Sequence, residues 1–143
     1  MFTASFSAPA SRATNFAGAY QQVAVQTGVE AASPHQLVAM LFDGFFAATH
    51  RARGAMRAAD MQGRHRAISQ ALGIVDEGLK GALDLRGGGK LATDLSDLYA
   101  YVCLRLTQAN LRNDEAALEE CQRLMTPLQE AWAAIGPAAR VGA

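Results

Sequence analysis

The fold is decided by residues 33–59, whose sequence is SPHQLVAMLFDGFFAATHRARGAMRAA. Ser33, Pro34 and Gln36 together form a start signal for an α-helix, because the serine and glutamine side chains can cap its first free amides while proline suits the first helical position. An apolar run follows this signal without a further proline. The stretch therefore predicts one long helix that runs from Pro34 to about Ala59.

Similar signals divide the rest of the chain into helices. Asp60 is predicted to cap a helix that runs to about Leu85, where three consecutive glycines at 87–89 end it. Another helix is predicted over about 91–111. Asn113 is predicted to cap the last helix, which runs to Ile135, and a short helix is expected over residues 16–27.

The short connections between these helices indicate antiparallel neighbours. The predicted fold is therefore all-α, an antiparallel up-and-down bundle of four long helices plus a short N-terminal helix. This domain is expected to occupy residues 15–136, between a disordered tail at 1–14 and a short tail at 137–143.

Composition points the same way and excludes several classes of function. Of 72 apolar residues among 143, 30 are alanine, so the 42 larger ones suffice for one modest core, and few valines or isoleucines are present to build a sheet. Thirteen basic and thirteen acidic side chains cancel, which argues against nucleic acid as a partner.

No secretory signal or membrane-inserting stretch is recognisable, so a cytoplasmic protein is expected.

The residues that usually carry chemistry do not form a site. His35, His50 and His65 stand 15 residues apart, which is not the spacing of helical metal ligands, and they are expected at the surface or in caps. Cys103 and Cys121 are expected to be buried thiols. No nucleophile motif or phosphate loop occurs, so no enzyme activity, cofactor or metal is expected. The arginines of residues 51–66 are interpreted as a solvated helix end and turn, with a site for nucleic acid or an acidic partner as the alternative.

Two helices carry more apolar surface than one core stripe requires. In the helix over 91–111, Leu104 and Leu111 lie nearly opposite the main stripe that contains Val102. In the helix over 34–59, Val38, Phe42 and Phe46 lie well round from the line of Leu37, Leu41, Gly44 and Ala48. Either these helices are surrounded by others in the bundle, or part of the surface is a groove for an amphipathic partner segment.

Several motifs resemble a known family. The sequence ASPHQLVAMLFDG at 32–44, LDLRGGG at 83–89, LYAY at 98–101 and ANLRND at 109–114 resemble the signatures of the FliS family of flagellin-export chaperones. Tyr20 and the two glutamines after it look like the N-terminal motif of that family. The resemblance extends in order over about residues 16–135.

The resemblance implies a helical bundle in the bacterial cytoplasm with flagellin as its client. Members of the family bind the disordered C-terminal segment of flagellin, prevent premature polymerisation and deliver it to the export-gate component of the flagellar secretion system. On this interpretation, the partner-binding residues are predicted to be Val38, Phe42, Phe46, Leu104 and Leu111, supported by Tyr101, and Tyr20 belongs to a segment that plugs the groove. A self-associating structural or regulatory bundle, such as a homodimer, is the alternative.

Overall fold

The structure is a computed structural model that describes residues 33–136. The short helix predicted over 16–27 and the predicted tails at 1–14 and 137–143 lie outside the described residues. Within 33–136 the chain is helical and contains no strand, which confirms the all-α fold. The elements are α1 (Pro34–Arg57), α2 (Met61–Gly73), the π-helical segment (Ile74–Lys80), α3 (Gly89–Arg112) and α4 (Glu115–Ile135).

The predicted starts of α1 and α2 are confirmed. Ser33 Oγ accepts a hydrogen bond from the backbone N–H of Gln36 at 3.1 Å, and Gln36 Oε1 accepts one from the backbone N–H of Ser33 at 2.8 Å. Asp60 accepts from the backbone N–H of Gly63 at 2.9 Å. Because each cap uses residues within three positions of one another, local sequence was enough to find it.

The predicted start of α4 is wrong by one residue. Asn113 ends α3 instead, in the left-handed backbone region at φ 52°, which asparagine enters more readily than most residues. Asp114 is the cap of α4, and its carboxylate accepts from the backbone N–H groups of Ala116 and Ala117 at 3.0 and 3.3 Å. Asparagine and aspartate cap helices about equally well, so only the backbone turn between the helices decides between them.

The single helix predicted over 60–85 is interrupted. Regular α-helix ends at Gly73, and the π-helical segment that follows has the wider i to i+5 pattern of hydrogen bonds. This segment buries Ile74, Val75 and Leu79 and contacts both α1 and α3. The prediction assumed an unbroken α-helical period and therefore left Ile74, which is completely buried, out of the stripe.

The described helices pack around one core, and α1 and α4 run in opposite directions. At one end of the α1–α4 pair, Arg53 Nε lies 3.0 Å from Glu115 Oε2, and at the other end His35 Nε2 lies 2.9 Å from the backbone oxygen of Trp132. Both α1 and α3 contact α2, the π-helical segment and α4. The largest apolar side chains that are completely buried come from all of these elements: Phe45, Ile68, Ile74, Leu106, Leu118 and Met125.

Two glycines at the start of α3 are needed for different reasons. A Cβ atom on Gly88 would lie 2.6 Å from the backbone oxygen of Asp84 and equally close to Ala92 Cβ. Gly89 has a φ of 60°, where an L side chain is strained. The predicted helix end at this glycine run is wrong, because the π-helical segment already ends at Lys80. The glycines instead allow the tight entry into α3.

We expect Gly54→Ala to stabilise the protein and Gly88→Ala to destabilise it. An added Cβ at Gly54, inside α1, meets no atom within 4 Å, so the better helix propensity of alanine should raise the free energy of unfolding by up to about 1 kcal/mol. The steric overlap at Gly88 should lower it by about 1–3 kcal/mol. Urea denaturation measures both, and effects of the same sign would contradict this account.

Candidate partner-binding surface

The outward face of α3 carries apolar side chains that do not reach the core. Leu104 is 53% exposed and Leu111 is 80% exposed, and Tyr101 beside them is 40% exposed. At about 100° per residue, both leucines lie on the opposite side of α3 from Val102, which is completely buried. We call Tyr101, Leu104 and Leu111 the α3 stripe. Its exposure follows the sequence pattern, and its role in binding stays a prediction.

A polar cluster of three side chains borders the α3 stripe. The Tyr101 hydroxyl donates to Glu120 Oε2 at 2.7 Å, and Arg105 Nε donates to Glu120 Oε1 at 2.6 Å. Arg105 also donates to Gln108 Oε1 through its Nη1. The cluster thus ties α3 to α4 and holds the Tyr101 ring at the edge of the stripe.

These contacts shift the pKa of each member. Hydrogen bonds from Tyr101 and then Arg105 lower the pKa of Glu120, and the bond to Glu120 raises the pKa of both Tyr101 and Arg105. Because the pKa of Glu120 is lower in the folded chain than in the unfolded chain, its ionised carboxylate stabilises the fold when the pH is above the pKa of the unfolded state. This stabilisation is lost as the pH falls through the pKa of the folded state.

The structure corrects the expectation for Phe42, one of the three residues predicted to bind a partner on α1. Phe42 is 3% exposed and belongs to the core, while Val38 and Phe46 are partly buried against it. The physical reason is that Phe45, completely buried, marks the centre of the core face of α1, and Phe42 lies only about 60° round the helix from it. Phe42 therefore belongs to the core, while a binding role for Val38 and Phe46 stays a prediction. Tyr20 lies outside the described residues.

Sequence reasoning missed the contact between His35 and Trp132. His35, expected at the surface or in a cap, is 7% exposed and stacks on Trp132 with ring centroids 5.0 Å apart and an angle of 9° between the planes. Trp132 Nε1 donates to the backbone oxygen of His35 at 3.0 Å. The two residues are 97 positions apart, so no local pattern joins them. His50 and His65 are exposed, as predicted.

The arginines of residues 51–66 fall into two groups. Arg53 pairs with both Glu115 and Glu119, at 3.0 and 2.8 Å, and Arg57 pairs with Glu115 at 2.5 Å. These pairs join α1 to the start of α4, so this part of the stretch is more than a solvated helix end. The other group has no acidic partner within residues 33–136 and consists of Arg51, Arg64 and Arg66.

The remaining polar groups show ordinary structural contacts. Asp43 accepts a hydrogen bond from Gln129 Nε2 on α4 at 3.0 Å. Cys121 is buried, as predicted, whereas Cys103 is only partly buried. Burial raises the pKa of Cys103 to about 11 and that of Cys121 to about 12. Within the described range, histidine, cysteine and acidic side chains form no group of three that would hold a metal, and no helix is long and apolar enough to cross a membrane.

Comparison with known proteins gives consistent matches along the chain. The family model described as flagellar protein FliS matches residues 16–139. The flagellar secretion chaperone FliS of Salmonella typhimurium strain LT2 is 50% identical over 121 residues, which is 85% of this chain and 90% of that protein. The protein of the same name from Escherichia coli K12 is 43% identical over 80% of this chain and 84% of its own length. The one from Bacillus subtilis 168 is 32% identical over 80% of each.

We expect Glu120→Gln to lower the alkaline titration midpoint of Tyr101. The charged carboxylate favours the protonated phenol, and an uncharged amide acceptor at the same place removes that preference. The midpoint is measured by ultraviolet difference titration, with Tyr101→Phe as the control that isolates this ring from the other two tyrosines. A midpoint that does not move would mean that the hydrogen bond to Glu120 is absent in solution.

Proposed function

We propose that this chain, which belongs to the FliS family of flagellar secretion chaperones, binds the C-terminal segment of flagellin in the bacterial cytoplasm. Binding would prevent premature polymerisation and hold the client for delivery to the export-gate component of the flagellar secretion system. The family supports a role as a flagellar export chaperone without catalysis. The observation that carries the choice of surface is the exposure of the α3 stripe.

The geometry of the α3 stripe suits an amphipathic helix of the client. Tyr101 and Leu111 are ten residues apart, which is about 15 Å along a helix axis. A client helix of similar length can therefore lay its apolar face along the stripe, in the mode of a helix bound in a groove. Apolar side chains in line on one face are also what distinguishes such a surface from the scattered exposed leucines of ordinary proteins.

The energetics favour reversible binding. Full burial of a leucine contributes about 1.5–3 kcal/mol, and the disordered client loses conformational entropy when it folds on the surface. The second effect offsets part of the first. The polar cluster of Tyr101, Arg105 and Glu120 lowers the cost on the chaperone side, since the Tyr101 ring is already held in position before the client arrives. A chaperone that must release its client benefits from this balance.

Titration of the full chain with a flagellin C-terminal segment should give a one-to-one complex with a negative heat-capacity change. The sign follows from the burial of apolar surface. Isothermal titration calorimetry at several temperatures measures it, and light scattering of the free chain gives its oligomeric state. A tight dimer that excludes the segment would contradict the proposal and favour the self-associating alternative.

Leu104→Asp should weaken that complex at least tenfold, because a carboxylate in an apolar interface is desolvated without a partner. The matched control is Leu91→Asp, on the same helix and 69% exposed, but about 140° round from Leu104. Circular dichroism should show full helicity for both variants. If Leu104→Asp unfolds the chain, or if both variants bind alike, the α3 stripe is not the binding surface.

A further inference from the structure

Leu111 belongs to two surfaces at once. It ends the α3 stripe, and it also lines a groove of about 590 Å³ between the start of α2 and the end of α3. The opposite part of this groove contains Met61, which is 69% exposed. Exposed apolar surface therefore continues from α3 onto the first turn of α2.

The groove is positively charged beyond these two apolar side chains. Arg64 donates to Asn110 Oδ1 at 3.1 Å and to Asn113 Oδ1 at 2.9 Å, so its partners are neutral. Arg66 is exposed and has no acidic partner among residues 33–136. Asn110 also contacts the His65 ring, through its Nδ2 at 3.1 Å from Nδ1.

A second groove, on the other side of α2, extends the positive charge. Arg66 lines both grooves, and the second one, of about 540 Å³, adds Arg51, which donates to the neutral side chain of Gln70 at 2.5 Å. The acid in this groove is Asp60, and its carboxylate already accepts from the backbone N–H of Gly63 as the cap of α2. Three guanidinium groups thus surround the first turns of α2, and the linings of the two grooves contain one carboxylate, that of Asp60, to balance them.

We infer that the client on the α3 stripe continues over Leu111 into this groove and that its acidic side chains pair there with Arg64 and Arg66. The inference rests on the proposed function and adds the chemistry of the client, an apolar segment with carboxylates close to its apolar residues. Leu111 belongs to both surfaces and therefore joins them. The positive charge of the groove favours a client segment with negative charge. Neither groove is lined by phenylalanine, tyrosine or tryptophan, the side chains that usually form a stacking platform for the bases of a nucleic acid, and this favours a peptide over a nucleic acid.

The physical effect of such a patch falls on the rate of association. Exposed ion pairs contribute little to equilibrium affinity, because water and salt screen them. A local excess of one charge still attracts an oppositely charged segment over several ångströms and speeds encounter, and this acceleration falls as ionic strength rises. The arginines therefore guide the client onto the apolar surface, and the α3 stripe retains it.

The test measures association and dissociation rates of the full chain with the flagellin C-terminal segment at low and at high salt. Arg66→Glu should slow association at low salt about fivefold or more and remove most of its salt dependence, with the dissociation rate changed less than about twofold. The matched control is Arg86→Glu, which makes the same charge change at an exposed position in the turn before α3, at the other end of the bundle. It should leave both rates close to those of the unaltered chain.

Substitutions in the client segment complete the test. When the acidic residues of the segment are replaced by their amides, the unaltered chain and Arg66→Glu should associate at equal rates. If Arg66→Glu and Arg86→Glu behave alike while Leu104→Asp still weakens the complex, this inference fails and the proposed function stands. If the unaltered chain does not bind the segment at all, both fail.

Discussion

The contact surface between α1 and α4, which we call the seam, is the constraint on which the rest of the bundle depends. Short connections already hold α1 beside α2 and α3 beside α4, but only contacts distant in sequence can join the first described helix to the last. Stacking and hydrogen bonding between His35 and Trp132 fix one end, and Arg53 with Glu115 fixes the other. Between these two ends, Phe45 on α1 is completely buried in the common core.

The features that the sequence could predict are those that depend on residues close together in the chain. The caps at Ser33 and Asp60, the all-α fold and the exposed face of α3 follow from spacings of a few residues. The π-helical segment could not be found in this way, since its geometry depends on packing against α1 and α3. The same limit explains Phe42, whose burial becomes evident only when Phe45 is recognised as the centre of the core face. The division of the arginines required knowing that the start of α4 lies beside the end of α1.

The two helices with broad apolar surfaces turn out to use them differently. On α1 the core buries Phe42 and Phe45, and Val38 and Phe46 are partly buried against it. On α3 a complete core face that includes Val102 and Leu106 coexists with Leu104 and Leu111 on the far side. The proposed function assigns this exposed side of α3 to the client, which would cover the two leucines on binding.

The seam also gives the protein an internal optical probe. Trp132 is the single tryptophan of the chain, and its indole stacks on His35 at the end of α4. Its fluorescence should therefore respond to the separation of α1 from α4, whereas the Leu104 side of α3 contains no indole. Spectroscopy of the unlabelled protein can thus follow opening of the bundle separately from events on α3, without an introduced fluorophore.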